Sequence, residues 1–365
     1  MEEGFVRNAL MVLLRRGLWG TREEVNALSL TAAQWMALYQ AASRHTVEGI
    51  VYDGIQSLGP ACTPPRDLMI RWTVRVDRIE RQNKHMNKCI AEQMALFSAH
   101  GLDPLLLKGQ GLAACYPEPL HRICGDVDWY FGGKTAYQTA ANVVRQSGAE
   151  VRATAGFSSE YAWRGTAMEH HQRMFDIHNP FVFPLLKRLQ RRYAGTPAAS
   201  LRLAGSSVRL LSPILMAVQV NVHILKHLLS FGIGLRQLCD SARLYSVHKK
   251  AIDGGELKRI YGKLGILPWI HCLHQLLVDR LGLPEGDLPF ELAEGVDAAW
   301  MMDDIWMAGN FGFTDPRFGT TEVAAGERHD SAKRILRNVM RYVRYAPMEA
   351  ISFPFVHFYS RYAAK

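Results

Sequence analysis

A change of hydrophobic period at Asp103 constrains this chain more than any other feature. Upstream, Trp72, Val76, Ile79, Met86, Ile90, Met94 and Phe97 recur at the spacing of an amphipathic helix, expected from about Asp67 to His100 and ended by Gly101. Downstream, Pro104-Leu105-Leu106-Leu107 is a short apolar run closed by Lys108-Gly109, which reads as a buried strand. A short helix from Gly109 to Tyr116 follows, then a strand over Gly125–Phe131, a helix over Lys134–Ser147, and strands over Glu150–Ala155, Met168–His178 and Val208–Leu211. Before this unit, Phe5 to Leu14 and the stretch from Thr31 towards Arg44 read as helices, and Pro60, Pro64 and Pro65 bracket a loop. After it, Ser212-Pro213 opens a helical region with segments at 213–230, 235–249, 255–264, 267–281 and 326–345. The expected fold is therefore α+β: a small mixed sheet between two helical regions.

Composition narrows the partners. The formal charge of +9 favours nucleotides, nucleic acid or an anionic membrane surface, or else marks an arginine-rich solvated surface. The six cysteines form no C-x-x-C pair and read as small buried hydrophobes of a reducing compartment. The start of the chain is acidic at Glu2 and Glu3, and the apolar run Ala9–Leu14 stops at Arg15-Arg16, so no signal peptide is expected. No uncharged run reaches the roughly 18 residues of a spanning helix, so a cytoplasmic location is the default expectation.

The chemistry concentrates in the stretch from Leu105 to Trp129. On a strand, Asp126 and Asp128 point to one face, about 6.6 Å apart at Cα, while Val127 and Trp129 point into the core. Two carboxylates so placed can converge on Mg²⁺, which favours hard oxygen ligands and takes phosphates as further ligands. Taken alone the D-x-D triplet is equally a solvated strand end. Its setting is more specific: a strand ending in Lys108-Gly109, then a helix start whose free amides near Gly109, Gln110 and Gly111 suit an anion, then the acidic strand.

This segment resembles the polymerase β-like nucleotidyltransferases, and most closely their uncharacterised bacterial branch. The residues that carry the resemblance are Lys108-Gly109, Tyr116-Pro117, Arg122 and Gly125-Asp126-Val127-Asp128. The usual Gly-Ser after the first strand is Gly109-Gln110 here, which removes a hydroxyl contact to phosphate. The resemblance implies a third carboxylate on a later strand, matched by Phe175-Asp176-Ile177-His178, where alternation would put Asp176 and His178 on one face. It extends to a helical segment in which His223 and His227, and then Arg236 and Asp240, lie one turn apart. The two histidines are open to three readings: substrate or phosphate contacts, structural side chains, or ligands of a transition metal.

The expected organisation is a helical region over 1–100, a core over 101–211 that the resemblance makes a nucleotidyltransferase core, a helical domain over 212–325 and a basic aromatic tail over 326–365. Two Mg²⁺ ions, or Mn²⁺, are expected between Asp126, Asp128 and Asp176. Lys108, Arg122 and the Gly109 helix start would neutralise a nucleoside triphosphate, and pyrophosphate would leave. The acceptor and the oligomeric state are not legible in these motifs. Two other readings keep part of the pattern: a catalytically inactive nucleotide-binding or regulatory domain, and a D-x-D glycosyltransferase. In the tail, Arg334, Arg337, Arg341 and Arg344 interleave with apolar residues ahead of Phe353, Phe355, Phe358 and Tyr359. Nucleic-acid or membrane contact is the less favoured reading of this pattern; packing of the aromatics on the body, with the arginines in water, is the expected one.

Overall fold

The computed structural model describes residues 2–20, 30–59, 62–154, 157–194, 199–313, 315–318 and 332–363. Pro60, Ala155, residues 326–331 of the expected helix and the last two residues of the tail lie outside the described residues.

The chain opens with α1 (Glu2–Trp19), α2 (Ala32–Arg44), α3 (Glu48–Gln56) and α4 (Arg66–Ala99). Thr31 begins α2 as expected: its hydroxyl accepts from Gln34 N, and the Gln34 side chain accepts from Thr31 N. The sequence reading missed α3, a nine-residue helix carrying two glycines. Those glycines allow backbone-to-backbone contact. A Cβ on Gly17 of α1 would lie 1.9 Å from the carbonyl oxygen of Ile50, and one on Gly54 of α3 would lie 2.0 Å from that of Leu13. Gly49 of α3 touches the loop ahead of the acidic strand just as closely, 2.1 Å from the oxygen of His121.

The central unit runs β1 (Leu105–Leu107), α5 (Gly109–Ala113), β2 (Asp126–Tyr130), α6 (Lys134–Gln146), β3 (Arg152–Thr154), β4 (Ser158–Trp163), β5 (Thr166–His171), α7 (Phe183–Ala194), β6 (Ser200–Leu203) and β7 (Ser206–Leu210). Its seven strands form one mixed sheet in the order β3-β4-β5-β2-β1-β7-β6. β1 is antiparallel to β2 and parallel to β7, and β2 is parallel to β5. β4 and β6 were not expected. Each is the first arm of a hairpin closed by a two-residue turn, Arg164-Gly165 and Ala204-Gly205, with positive φ at both positions. The strand expected over 168–178 ends instead at His171. Its two neighbours stop there, because Ser158 of β4 and Tyr130 of β2 are the residues that face His171. Gln172 N still donates to Phe157 O at 3.0 Å, and beyond it the pairing stops, so Asp176 and His178 lie outside the sheet.

The rest is helical: α8 (Pro213–Ser230), α9 (Leu235–His248), α10 (Gly254–Leu264), α11 (Leu267–Asp279), α12 (Ala299–Ala308), α13 (Ala332–Tyr342) and α14 (Pro347–Ala363). α4 backs one face of the sheet. There Trp129 donates to Gln93 Oε1 at 2.6 Å, Gln93 donates to the Tyr161 hydroxyl at 2.7 Å, and that hydroxyl meets His170 Nε2 at 2.8 Å. α8, with nearly every residue buried, lies behind the other face, which carries the acids. The tail differs from expectation. Arg337 and Arg341 pair with Asp304 of α12, and Arg334 stacks on Phe318, so these cations face protein rather than water. Phe353 is buried, whereas Phe355, Phe358 and Tyr359 stand in solvent. All six cysteines are free and five are buried. No helix among the described residues is long and apolar enough to cross a membrane.

Candidate active site

A cleft of about 510 Å³ opens where β1 ends and β2 and β5 begin, walled by α8, α9 and the turn after α12. The chain enters it through a strained corner. Lys108 has φ +46° and the following Gly109 has φ +40°, so the backbone reverses between β1 and α5. This corner aims Lys108 Nζ at Asp128 Oδ1, 3.0 Å away. The helix after it is only five residues long. Gln110 turns into the core, its amide 3.4 Å from Asn83, and Gly111 packs against Leu210, where a Cβ would sit 3.0 Å from Cδ2. Of the expected phosphate turn, Lys108 and Gly109 line the cleft; Gln110 and Gly111 do not.

Strand alternation places Asp126 and Asp128 on the cleft face as expected, with Val127 and Trp129 buried opposite. Parallel pairing with β5 sets Asp126 beside Ala167 and Asp128 beside Glu169. Glu169 and His171, two residues apart on β5, therefore share the face of the aspartates. Ligand atoms of Asp128, Glu169 and His171 all lie within 4.8 Å of one another. His171 Nε2 is 2.7 Å from Asp128 Oδ1, and Ser158 donates its hydroxyl to Glu169.

The electrostatics divide the two aspartates. Burial would raise the pKa of Asp128, but Lys108 and the hydrogen bond from His171 hold it well below the carboxylate range. Asp126, exposed at the mouth, is pushed up to about 6, first by the charge of Asp128 and then by desolvation. Burial opposes the charge on Lys108, yet Asp128, Asp176, Glu169 and Asp126 together keep it firmly protonated. His171 follows the same pattern: burial lowers its pKa, but Glu169 and Asp128 outweigh that and raise it.

The remaining expected residues divide between the cleft and the framework. Asp176 lies beyond the end of β5, outside the Asp128–Glu169–His171 cluster, and binds His223 Nδ1 at 2.7 Å and Lys226 Nζ at 3.2 Å. His223 and His227 share a face of α8, their Nε2 atoms 3.1 Å apart, and both line the cleft. His178 turns away altogether: its backbone and ring both bind Glu349 of α14, and its ring packs on Phe353. Arg236 and Asp240 do not pair as their spacing suggested. Asp240 takes a two-pronged contact from Arg122, at 2.7 and 2.6 Å, plus the hydroxyl of Tyr116 at 2.7 Å. Arg122 also donates to Ile123 O, so its guanidinium is held by protein groups, though Arg122 and Asp240 both line the cleft. Arg236 binds Thr46 Oγ1 and Ile123 O, and burial lowers its pKa. Gly125 lines the mouth, with nothing within 4 Å of where a Cβ would be.

Sequence reasoning missed Glu169, His171, Lys226 and the aromatic pair Phe311 and Phe313 at the far wall. The first two were within reach. They alternate on a segment already read as a strand, but the third carboxylate was sought by motif further on. The described residues before β1 contain no strand, which disfavours a glycosyltransferase with its nucleotide-binding unit ahead of D-x-D.

No curated protein matches the chain. Among solved structures, an antigenic nucleotidyltransferase-like protein from Paracoccidioides brasiliensis aligns at 16% identity over 55% of this chain and 92% of its own, with a TM-score of 0.35, too distant to bear on the fold. The family described as uncharacterised nucleotidyltransferases matches residues 31–282, a segment that holds every cleft residue from Thr46 to Asp240. With well over half its length in that match, the chain belongs to this family of nucleotidyltransferases.

Proposed function

We propose that this chain is a divalent-metal-dependent enzyme that moves a nucleoside monophosphate from a nucleoside triphosphate to an acceptor hydroxyl, releasing pyrophosphate. The observation that carries the reading is the convergence of Asp126, Asp128 and Glu169 on one sheet face beside Lys108. In the polymerase β-like pattern the third acid was expected at Asp176; here Glu169 is the acid in register with Asp128.

The donor set fits a cation. Three ligand atoms lie within 4.8 Å, two are hard oxygens, and the raised pKa of Asp126 marks negative charge in excess of what Lys108 offsets. Asp126, Asp128 and Glu169 would hold Mg²⁺ or Mn²⁺ through carboxylate oxygens. The two-ion expectation now rests on Asp128, which lies between Asp126 and Glu169. When bound, such ions supply Lewis acidity at phosphate oxygens. The protein's own residues do the rest. Lys108 keeps Asp128 ionised and brings a fixed positive charge to the phosphates. His171 orients Asp128 by its 2.7 Å hydrogen bond. Lys226 and Arg236 place further positive charge on the opposite wall.

One observation favours the inactive nucleotide-binding alternative: Gln110 is turned into the core, so the turn offers no hydroxyl to a phosphate. A thermal-shift panel of four nucleoside triphosphates, with and without Mg²⁺, tests binding, since a ligand of the folded state raises the melting point. Pyrophosphate release then separates enzyme from binder. Asp126→Asn, which leaves the Lys108–Asp128 pair intact, should abolish release. Full activity in that variant would refute the assignment.

A further inference from the structure

Asp176, His223 and His227 form a hydrogen-bonded line along one wall of the cleft, with links of 2.7 and 3.1 Å. Chemistry assigns its protons. Asp176 also accepts from Lys226 and is held ionised, well below the carboxylate range, against its burial. An ionised carboxylate only accepts, so Nδ1 of His223 must carry the proton. Burial, then the charge of Lys108, brings His223 down to about 4, and it is neutral at pH 7. Its Nε2 then holds a lone pair, and His227 must supply the proton between the two rings. That leaves Nδ1 of His227 as a bare lone pair, buried and with no hydrogen-bond partner. A buried polar atom in this state is uncommon and calls for a reason. The ring of Phe311 lies over His227 at 4.7 Å between centroids, on a turn where Phe311 itself has φ +51°.

We infer that this line is a proton relay whose terminal base, His227 Nδ1, takes the proton of the acceptor hydroxyl. The inference rests on the nucleotidyl-transfer reading above. As the acceptor displaces the Phe311 ring, its O–H bond breaks and the proton passes to His227 Nδ1, while the Nε2 proton of His227 passes to His223 Nε2. The acceptor oxygen keeps the electron pair and bonds to the α-phosphorus. The bond from that phosphorus to its bridging oxygen breaks, and pyrophosphate leaves with the pair. The new positive charge sits on His223 against Asp176.

The surroundings make this relay responsive to substrate. The groups that act on His223 are Lys108 from the turn after β1, Asp128 from β2, Asp176 from the loop after β5, and Lys226 from α8; His227 feels Lys108, Asp176, Lys226 and His223. The lysines repel a proton on either ring, and for the same reason they disfavour a metal cation held between the two Nε2 atoms. A triphosphate beside Lys108 and Lys226 cancels that field, so the base strengthens when the nucleotide is in place.

The test uses the full chain with ¹⁵N-labelled histidine and inorganic tripolyphosphate as probe. Imidazole spectra should show His223 as the Nδ1–H tautomer and His227 as the Nε2–H tautomer. Without probe, neither should titrate between about pH 5.5 and 8.5; with it, one proton uptake should move up by about one pH unit or more. His227→Gln should slow pyrophosphate release by about 10²-fold or more, with the nucleotide KM unchanged and water standing in for the acceptor. A proton on Nδ1 of His227, a probe that binds without shifting the titration, or an undiminished rate in His227→Gln overturns the relay while the transferase reading stands. A tripolyphosphate that does not raise the melting point overturns the transferase reading and the relay with it.

Discussion

Asp240→Asn removes the counterion of a buried arginine and leaves the shape of the site almost unchanged. The side chains of Arg122 and Asp240 are 4% and 6% exposed, and their contact is two-pronged, so the pair is fully desolvated. Breaking such a pair by neutralising one partner costs about 3–5 kcal/mol, because the remaining charge is stranded. The amide can still accept one bond, and Arg122 keeps its contact with Ile123 O, which places this variant near 3 kcal/mol. For a chain of this size, with an unfolding entropy of roughly 0.8 kcal/mol/K, that corresponds to a fall in Tm of about 4 °C. Asp240→Ala, which also strips the Tyr116 hydroxyl of its acceptor, should lie nearer the upper limit. The paired replacement Arg122→Met with Asp240→Leu should recover most of the loss, as apolar substitution of buried ion pairs does. Thermal denaturation of the four proteins measures this, alongside nucleotide affinity at a temperature where all are folded. If Asp240→Asn keeps its Tm and loses nucleotide affinity, Arg122 faces phosphate and the structural account of the pair is wrong.

Three further outcomes follow from other sites. Asp126 has its pKa raised above the unfolded value, so it costs nothing below about pH 4, where it is protonated in both states, and opposes folding increasingly as pH rises through about 6; Asp126→Asn should therefore raise the Tm of the metal-free protein at pH 8 and leave it unchanged at pH 3.5, read by calorimetry at both. His121 bridges Asp53 at 2.6 Å and Glu80 at 3.1 Å, and although burial lowers its pKa, the two acids outweigh that and raise it; Asp53, being buried, is itself pushed up, so the pair's gain falls on the histidine. That stability is present below about pH 6.5 and lost as pH climbs through the raised value, so His121→Gln should cost more at pH 5.5 than at pH 9 in matched urea titrations. Glu349 accepts from the amides of His178 and Asn179, and Glu349→Ala should cost about 1–3 kcal/mol by orphaning these donors, and should speed proteolysis within α14; an unchanged digestion rate would show that α14 is held by Phe353 alone.

The parts of this architecture with a strong local period were legible in advance. α4, α8 and α9 announce themselves through apolar spacing, and Thr31 through its capping pattern. The Asp126–Asp128 face followed from alternation alone, because strand geometry leaves no other arrangement. Glu169 was harder to see. Its membership depends on which residue of β5 lies beside Asp128, and that parallel register is set between strands separated by α6 and the β3–β4 segment, with no local signature in the sequence. The Arg122–Asp240 pair spans 118 residues of sequence and has no local signature, while the i, i+4 spacing of Arg236 and Asp240 suggested a partner that was already taken. α3 escaped because its glycines, which weaken a helix in isolation, serve a contact with α1 that only the folded chain contains.

That contact sets how the molecule can be cut. Where Gly17 and Gly54 let two backbones touch, and Gly49 lets a third segment join them, side-chain flexibility offers no slack. Any displacement of the first helix is handed through α3 to His121, and from there along five residues to the mouth of the cleft. Excising the leading helices to obtain a minimal catalytic fragment would then shift the very strand that bears the acids. A chimera that keeps its chemistry would have to exchange α1 and α3 as one piece together with the loop they clamp.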